Sequence, residues 1–425
     1  MKVFKFGGAS VNSIERIQNL AGIIKLYEGD NLMIIISAMG KTTNALEKVV
    51  EAFFAERQQD ALQLFEGIKK QHLTTAKYLL VTHFNSCIEQ LSGFFTEVEW
   101  LLHDKPVRAY DYYYDQVVCI GELLSTCILS HYLNEIGIAN KWVDVRDIIR
   151  TDDNFRDANI DWDYSAKKVL QLKEACFNEK SAPGGICITQ GFIGSTDENE
   201  STTLGREGSD YTAAIFANLL DAESQTIWKD VEAVMSADPK QFPDAQVIHE
   251  LSFDEVIEMA YYGAQVIHPK TIKPLQNKGI PLQVKCFLDP SLPGTVIYKK
   301  KIKHLPPIVI IKENQALMHL HSQDFSFVGE KPMSRLYELF AHIKIRPNLL
   351  QSGAISLQVC LDDKPEKIDQ LAAEASSIFD VQVEKGLSLL TIRHFNEPLL
   401  NKMTEGKTIV LKQQDRETVQ VLYAS

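Results

Sequence analysis

The chain has 425 residues, 45% of them hydrophobic and 24% charged, which supports two or three well-formed domains and excludes general disorder or a fibrous protein. Its 56 acidic and 44 basic side chains give a formal net charge of -12, a balance that argues against a general binder of nucleic acid or anionic membrane. The seven cysteines are scattered and form no CxxC pair, so they read as reduced, mostly buried thiols.

A strand-like run begins at Val3 and leaves no room for a signal peptide. No stretch approaches the ~20 apolar residues of a membrane span, and the cytoplasm is the expected location. Residues 3–6 predict a short strand that breaks at Gly7-Gly8. Ile14, Ile17, Leu20 and Ile24 then recur at helical spacing, with Ser13 as the cap. Residues 32–36 are the next apolar strand, followed by Ser37-Ala38-Met39-Gly40. Strand, glycine turn, helix and strand in this order mark an α/β unit.

A long helical region over 45–102 follows, and Trp142-Val143-Asp144 reads as a strand end. A strand at 185–190 enters a polar segment, 194–203, and a helix over 211–220 comes next. Thr226-Ile227-Trp228 is again an apolar strand meeting a polar loop, before helices near 253–262 and 269–277. Pro306-Pro307 marks a linker-like turn, and the domain boundary is expected between 292 and 307. Beyond it, strands at 316–321 and 355–361 flank a helix at 333–343. A helix at 368–379 and a strand near Val381 complete a βαββαβ reading. A partial echo follows, with strands at 387–392, 408–411 and 418–422 and a short helix at 398–403. The expected domains are therefore 1–300, 308–384, and a partial repeat at 385–425 completed by 308–314.

In Lys5-Phe6-Gly7-Gly8-Ala9-Ser10, small residues follow a strand and precede a helix, where backbone amides can approach phosphate oxygens. Lys5 suits the charge of a transferring phosphoryl group, while Gly-Gly alone also fits an ordinary tight turn. There is no GxxxxGK[ST] loop and no GxGxxG fingerprint after the first strand. Residues 202–210, TTLGREGSD, combine glycines, a guanidinium, a hydroxyl and a carboxylate immediately before a helix. Asp210 there either orients Lys5 or caps the helix beginning near Tyr211. The histidines show no zinc spacing. His83 and Cys87 can share a helical face without closing a site, so no protein-held metal is expected. The run Tyr110 to Tyr114 lacks a basic surround and reads as a packed or partly exposed segment.

Residues 5–11, KFGGASV, closely resemble the N-terminal signature of aspartate kinases. In family order come Ser37-Ala38-Met39-Gly40 with Thr43-Asn44, Gly121-Glu122-Leu123-Leu124-Ser125 and Gln190-Gly191-Phe192-Ile193-Gly194. Residues 202–210, 228–240 and 263–269 continue the series. One such motif is weak, whereas the ordered set is highly specific. The resemblance implies an α/β amino-acid-kinase fold of three layers with a mainly parallel central sheet, followed by ACT-like α+β regulatory domains. It also implies transfer of the ATP γ-phosphoryl group to the β-carboxylate of L-aspartate, on the route to lysine, methionine and threonine. Mg2+ is expected mainly on the ATP phosphates.

By the same resemblance, Lys5 contacts the transferring phosphate with Asp210 organising it, and Gly7 and Gly8 belong to the nucleotide cradle. Thr43, Glu122, Phe192, Arg206 and Ser209 line the aspartate site. Arg206 is suited to the α-carboxylate and Glu122 to the ammonium group. Lys229, Asp230, Met235, Lys240 and Gln265 fall around the nucleotide. Glu207, Lys229 and Gln265 depart from common family residues, and Lys240 stands where arginine is frequent. Lys229 either adds positive charge to the ATP site or is a solvated lysine. A lysine or threonine effector and a homodimer through the ACT-like domains complete the expectations, with residues 351–356 resembling part of a regulatory surface.

Overall fold

The computed structural model describes residues 1–177, 184–324 and 326–424. The first elements are β1 (Lys2–Phe6), α1 (Ile14–Lys25), β2 (Leu32–Ile36), α2 (Thr42–Phe54), α3 (Gln58–Leu79) and α4 (Phe84–His103). Ser13 caps α1, its side chain accepting from the Arg16 N–H. The helical region expected over 45–102 is thus three helices. Its breaks lie at 55–57, where Glu56 has a φ of 57°, and at 80–83. Neither break contains glycine or proline, so nothing in local propensity announces it.

The chain continues through α5 (Tyr110–Val118), α6 (Ile120–Glu135), β3 (Lys141–Trp142), α7 (Trp162–Cys176) and β4 (Ile186–Gln190). The polar segment expected at 194–203 is a hairpin of β5 (Ile193–Ser195) and β6 (Ser201–Thr203). Then come α8 (Gly208–Leu219), β7 (Ser224–Lys229), β8 (Val234–Met235), β9 (Val247–Ile248) and β10 (Glu250–Ser252). The series ends with α9 (Phe253–Tyr261), α10 (Pro269–Lys278), β11 (Leu282–Cys286) and β12 (Thr295–Tyr298).

Eight strands form one sheet in the order β10-β12-β11-β7-β1-β2-β4-β3. All neighbouring pairs are parallel except β11 with β12. Leu32 to Ile36 of β2 are buried throughout, as a central strand covered on both faces requires. Parallel register sets Phe6 beside Ile36 and Trp228, and Ile36 beside Gln190. The turns leaving β1, β2, β4 and β7 therefore gather at one carboxyl-terminal edge, where ligands bind open α/β sheets.

The helical run Tyr110–Glu135 is long and apolar enough to cross a membrane by length and composition, which the sequence reading passed over. Its most apolar window is 89% buried within the fold, as a core helix is. The seven cysteines are free thiols, and six are buried.

The chain divides into two units. One comprises Met1–Val234, Val247–Ile257 and Gln265–Ile302; the other comprises Met235–Gln246, Glu258–Ala264 and Lys303–Ser425. The second unit contains β13 (Ile308–Ser322), α11 (Glu330–Ile343), β14 (Pro347–Ser352), β15 (Ser356–Asp362), α12 (Pro365–Ala375) and β16 (Phe379–Arg393). It ends with α13 (Glu397–Thr404), β17 (Thr408–Gln414) and β18 (Thr418–Ala424). These strands make an antiparallel sheet in the order β14-β15-β13-β16-β18-β17.

The strands expected separately at 308–311 and 316–321 are both parts of β13, and those near 381 and 387–392 are both parts of β16. Register shifts between Lys312 and Leu317, with Asn314 at a φ of 54°, mark the bulge that joins the halves of β13. Ile308 to Lys312 pair with Leu389 to Arg393, beside β18. Helices α11 and α12 cover Ala316, Met318, Leu320 and Leu357, while Leu399, Leu400 and Met403 of α13 cover Leu390, Ile392 and Val421.

Candidate functional site

A cavity of about 560 Å³ opens above the carboxyl-terminal edge of the eight-stranded sheet. Its lining includes Lys5 near the end of β1 and Gly8 after it, Ser37 and Ala38 after β2, and Thr43 on α2. Tyr114 on α5, Glu122 on α6, Phe192, the turn from Gly205 to Glu207, the first residues of α8 from Gly208 to Asp210, and Lys229 close it. Gly8 is required by close approach: a Cβ there would stand 2.5 Å from the Ala38 carbonyl oxygen. The first turn can therefore lie against the second only without a side chain.

Asp210 Oδ1 sits 2.6 Å from Lys5 Nζ, an ion pair outside hydrogen-bonding angles, with both side chains largely buried. Asp210 is not the cap of α8. That helix begins at Gly208, and its N-cap is Glu207 at a φ of 54°, a conformation glycine adopts at less cost. Glu207 instead accepts the His268 N–H through Oε2 at 2.8 Å, tying the loop to the start of α10. His268 is itself the N-cap of α10, its Nδ1 accepting from the Lys270 N–H.

Glu122 is fully buried on α6. Oε1 accepts the Ala38 N–H at 3.2 Å, and Oε2 has no partner among the described residues. Burial pushes its pKa up to about 8, against the lowering effect of the Ala38 hydrogen bond. A buried carboxyl on a cavity wall with one unpartnered oxygen is a ready partner for a ligand cation. Ser209 is buried beside Asp210, and Gly191 packs against it so tightly that a Cβ would fall 2.5 Å from the Ser209 Cβ. Phe192, at a φ of 73°, donates its N–H to Thr212 Oγ1.

Lys229 lines the same cavity, and its Nζ donates to the Val266 carbonyl at 2.6 Å. The other expected nucleotide residues are not among the lining. Asp230 pairs with Arg16, whose guanidinium lies over Phe287. Gln265 is exposed. Met235 and Lys240 belong to the second unit. Gly7 lies beside Lys5, a Cβ there being 3.5 Å from Nζ.

Sequence reasoning missed Tyr114, Arg156 and Thr203, all of which line the cavity. Tyr114 was visible only as one member of a tyrosine run. Asp115, the next residue, is buried and accepts from the Arg156 N–H, the Thr203 N–H and the Thr203 hydroxyl, at 3.0, 2.7 and 2.7 Å. Burial raises its pKa to about 6 against those three hydrogen bonds. Away from the cavity, Cys87 meets Cys127 and His131, with ligand atoms all within 4.8 Å of one another. Both His131 ring nitrogens already face polar neighbours, Ser86 at 3.5 Å and Gln90 at 3.2 Å.

Residues 1–286 match the model of the amino acid kinase family. Lysine-sensitive aspartokinase 3 of Escherichia coli is 31% identical over 401 residues, covering 92% of this chain and 86% of the relative. Chloroplastic aspartokinase 1 of Arabidopsis thaliana is 30% identical over 414 residues, covering 92% of this chain and 70% of the relative. Among solved structures, E. coli aspartokinase III in complex with aspartate and ADP superposes with a TM-score of 0.82 at 28% identity. That match covers 100% of this chain and 96% of the other. The chain belongs to the amino acid kinase family and, within it, to the aspartokinases.

Proposed function

We propose that this aspartate kinase, which takes ATP as its co-substrate, performs its reaction in the cavity above the parallel sheet, with Lys5 and Asp210 at the point of transfer. The observation that carries this reading is the Lys5–Asp210 ion pair in a cavity also lined by Glu122 and Arg206. The substrate β-carboxylate is already ionised near neutral pH, so it attacks the γ-phosphorus of ATP without a general base. The product is 4-phospho-L-aspartate, and ADP leaves.

The difficulty is bringing two anions together. Lys5 offsets their charge, Asp210 holds the ammonium group of Lys5 in place, and the amides of the Gly7-Gly8 turn cradle the nucleotide. Arg206 grips the α-carboxylate and Glu122 the ammonium of aspartate, with Thr43, Phe192 and Ser209 shaping the remainder. Lys229 adds charge on the nucleotide side. Of the lining carboxylates, Glu207 is engaged by His268 and Asp210 by Lys5, while Glu122 is set on the substrate ammonium. That suits a Mg2+ ion held mainly by the ATP phosphates, where it offsets their negative charge.

The product enters the synthesis of lysine, methionine and threonine. The C-terminal unit provides two ACT-like domains, 308–384 and 385–425 with 308–314, that bind lysine or threonine as effector and pair two chains. E. coli aspartokinase III has also been solved with lysine and aspartate, at 28% identity and a TM-score of 0.81 over 99% of this chain, which supports a lysine effector. Lys5→Ala and Asp210→Ala should keep the fold and lose aspartate-dependent ADP formation. Near-normal turnover in either folded variant rejects that residue's role.

A further inference from the structure

Arg156 belongs to none of the motifs, yet it lines the cavity together with Arg206. Its backbone φ is 70°, a left-handed conformation that is costly for a residue with a long side chain. Two contacts hold it there. The Arg156 N–H donates to buried Asp115 at 3.0 Å, and its carbonyl oxygen abuts the loop that carries Arg206, 3.2 Å from where a Cβ on Gly205 would stand. The guanidinium lies 4.3 Å from the centre of the Tyr114 ring, donates to Asp111 at 3.2 Å and has Glu47 at 3.9 Å. A guanidinium carries five N–H donors. Among the described residues only one of these is spent in a hydrogen bond, the one to Asp111.

We propose that Arg156 is a second substrate-binding guanidinium, which shares the α-carboxylate of aspartate with Arg206 and so helps set specificity for an amino acid with a free carboxyl group. The proposal rests on the reading of this cavity as the aspartate site. Arg156 and Arg206 come from adjoining turns, whereas Lys5 and Asp210 occupy the end where phosphate is transferred. Stacking on Tyr114 and pairing with Asp111 fix the plane of the guanidinium before substrate arrives, so little side-chain freedom is lost on binding. A strained backbone at a place where glycine would relax points to a side chain that is needed there.

Arg156→Gly removes the guanidinium and relaxes the turn in one change. The aspartate KM should rise at least about tenfold, as for loss of a charged hydrogen bond, while the ATP KM stays within about twofold. The thermal midpoint should hold, because relief at a left-handed position offsets the extra chain entropy of glycine. Arg156→Lys, which keeps the charge and loses the fork, should fall between. If turnover is too low for a KM, calorimetric titration with aspartate gives the same comparison. If Arg156→Gly does not fold, Arg156→Asn, which tolerates left-handed backbone, takes its place. An unchanged aspartate KM overturns the proposal, and a lowered midpoint with unchanged KM makes Arg156 a surface clamp only. Arg206→Ala is measured alongside: if it too leaves the aspartate KM unchanged, the reading of the cavity fails rather than the assignment of Arg156.

Discussion

Glu122 is held where its charge is disfavoured, with a pKa raised to about 8 and one oxygen vacant. At neutral pH the empty protein therefore carries mostly the neutral acid. An ammonium group placed beside it favours the carboxylate, so aspartate binding should expel a proton below about pH 8. The folded pKa lies above the ordinary value of 4.5, so between roughly pH 4.5 and 8 the folded protein binds more protons than the unfolded chain. Its stability without ligand then falls as pH rises through that window. Aspartate affinity runs the other way and rises with pH. Calorimetry at pH 7 in buffers of unequal ionisation enthalpy should read close to one proton released per site, and none in Glu122→Gln. That variant should also lose roughly 10- to 150-fold of its kcat/KM preference for aspartate over succinate, the loss of one charged hydrogen bond. No proton release in the unaltered protein would put the ammonium group elsewhere. The structure gathers Lys5, Glu122, Arg206 and Asp210 at one cavity; Asp210 read equally as a helix cap and Glu122 was marked only by the family resemblance, but all four were legible as candidates. Arg156 was not, because a left-handed backbone leaves no mark on an arginine in a sequence.

Asp115 joins three elements, receiving hydrogen bonds on α5 from β6 and from the turn at Arg156. Asp115→Ala strands those donors in a buried place and should cost roughly 3 kcal/mol, read as a lower urea midpoint. Because Thr203 and Arg156 both line the cavity, the aspartate KM should rise as well. A variant with the original midpoint would show that water replaces the carboxylate without loss. The elements of the kinase sheet were legible where apolar runs end in glycine or polar turns, as at residues 3–6 and 32–36. They were misread where tertiary packing decides. The breaks after α2 and α3 lack glycine and proline, and α8 starts early through a left-handed glutamate. The polar bulge 312–315 reads as a gap in sequence but lies inside one continuous strand.

At the scale of the whole chain, the division into two units does not follow sequence order. Residues 235–246 and 258–264 group with the C-terminal sheet, and Ala237 and Phe242 pack against the buried cluster beneath α13. Ending the chain at Pro306 removes that cluster and bares both side chains, so the shortened protein should melt earlier and aggregate. Phe242→Ser in the shortened chain should restore part of its solubility. Light scattering should give twice the chain mass for the full protein and a single chain mass for the shortened one. Equal assembly and equal melting in both would reject the pairing of chains through the C-terminal unit. The same grouping bears on how such a gene can change over generations. Met235 and Lys240, the two positions matched to the nucleotide by family resemblance, travel with the C-terminal unit. A lineage that deletes that unit would disturb those two positions. Wholesale deletion is then disfavoured, and the two units are inherited as one piece.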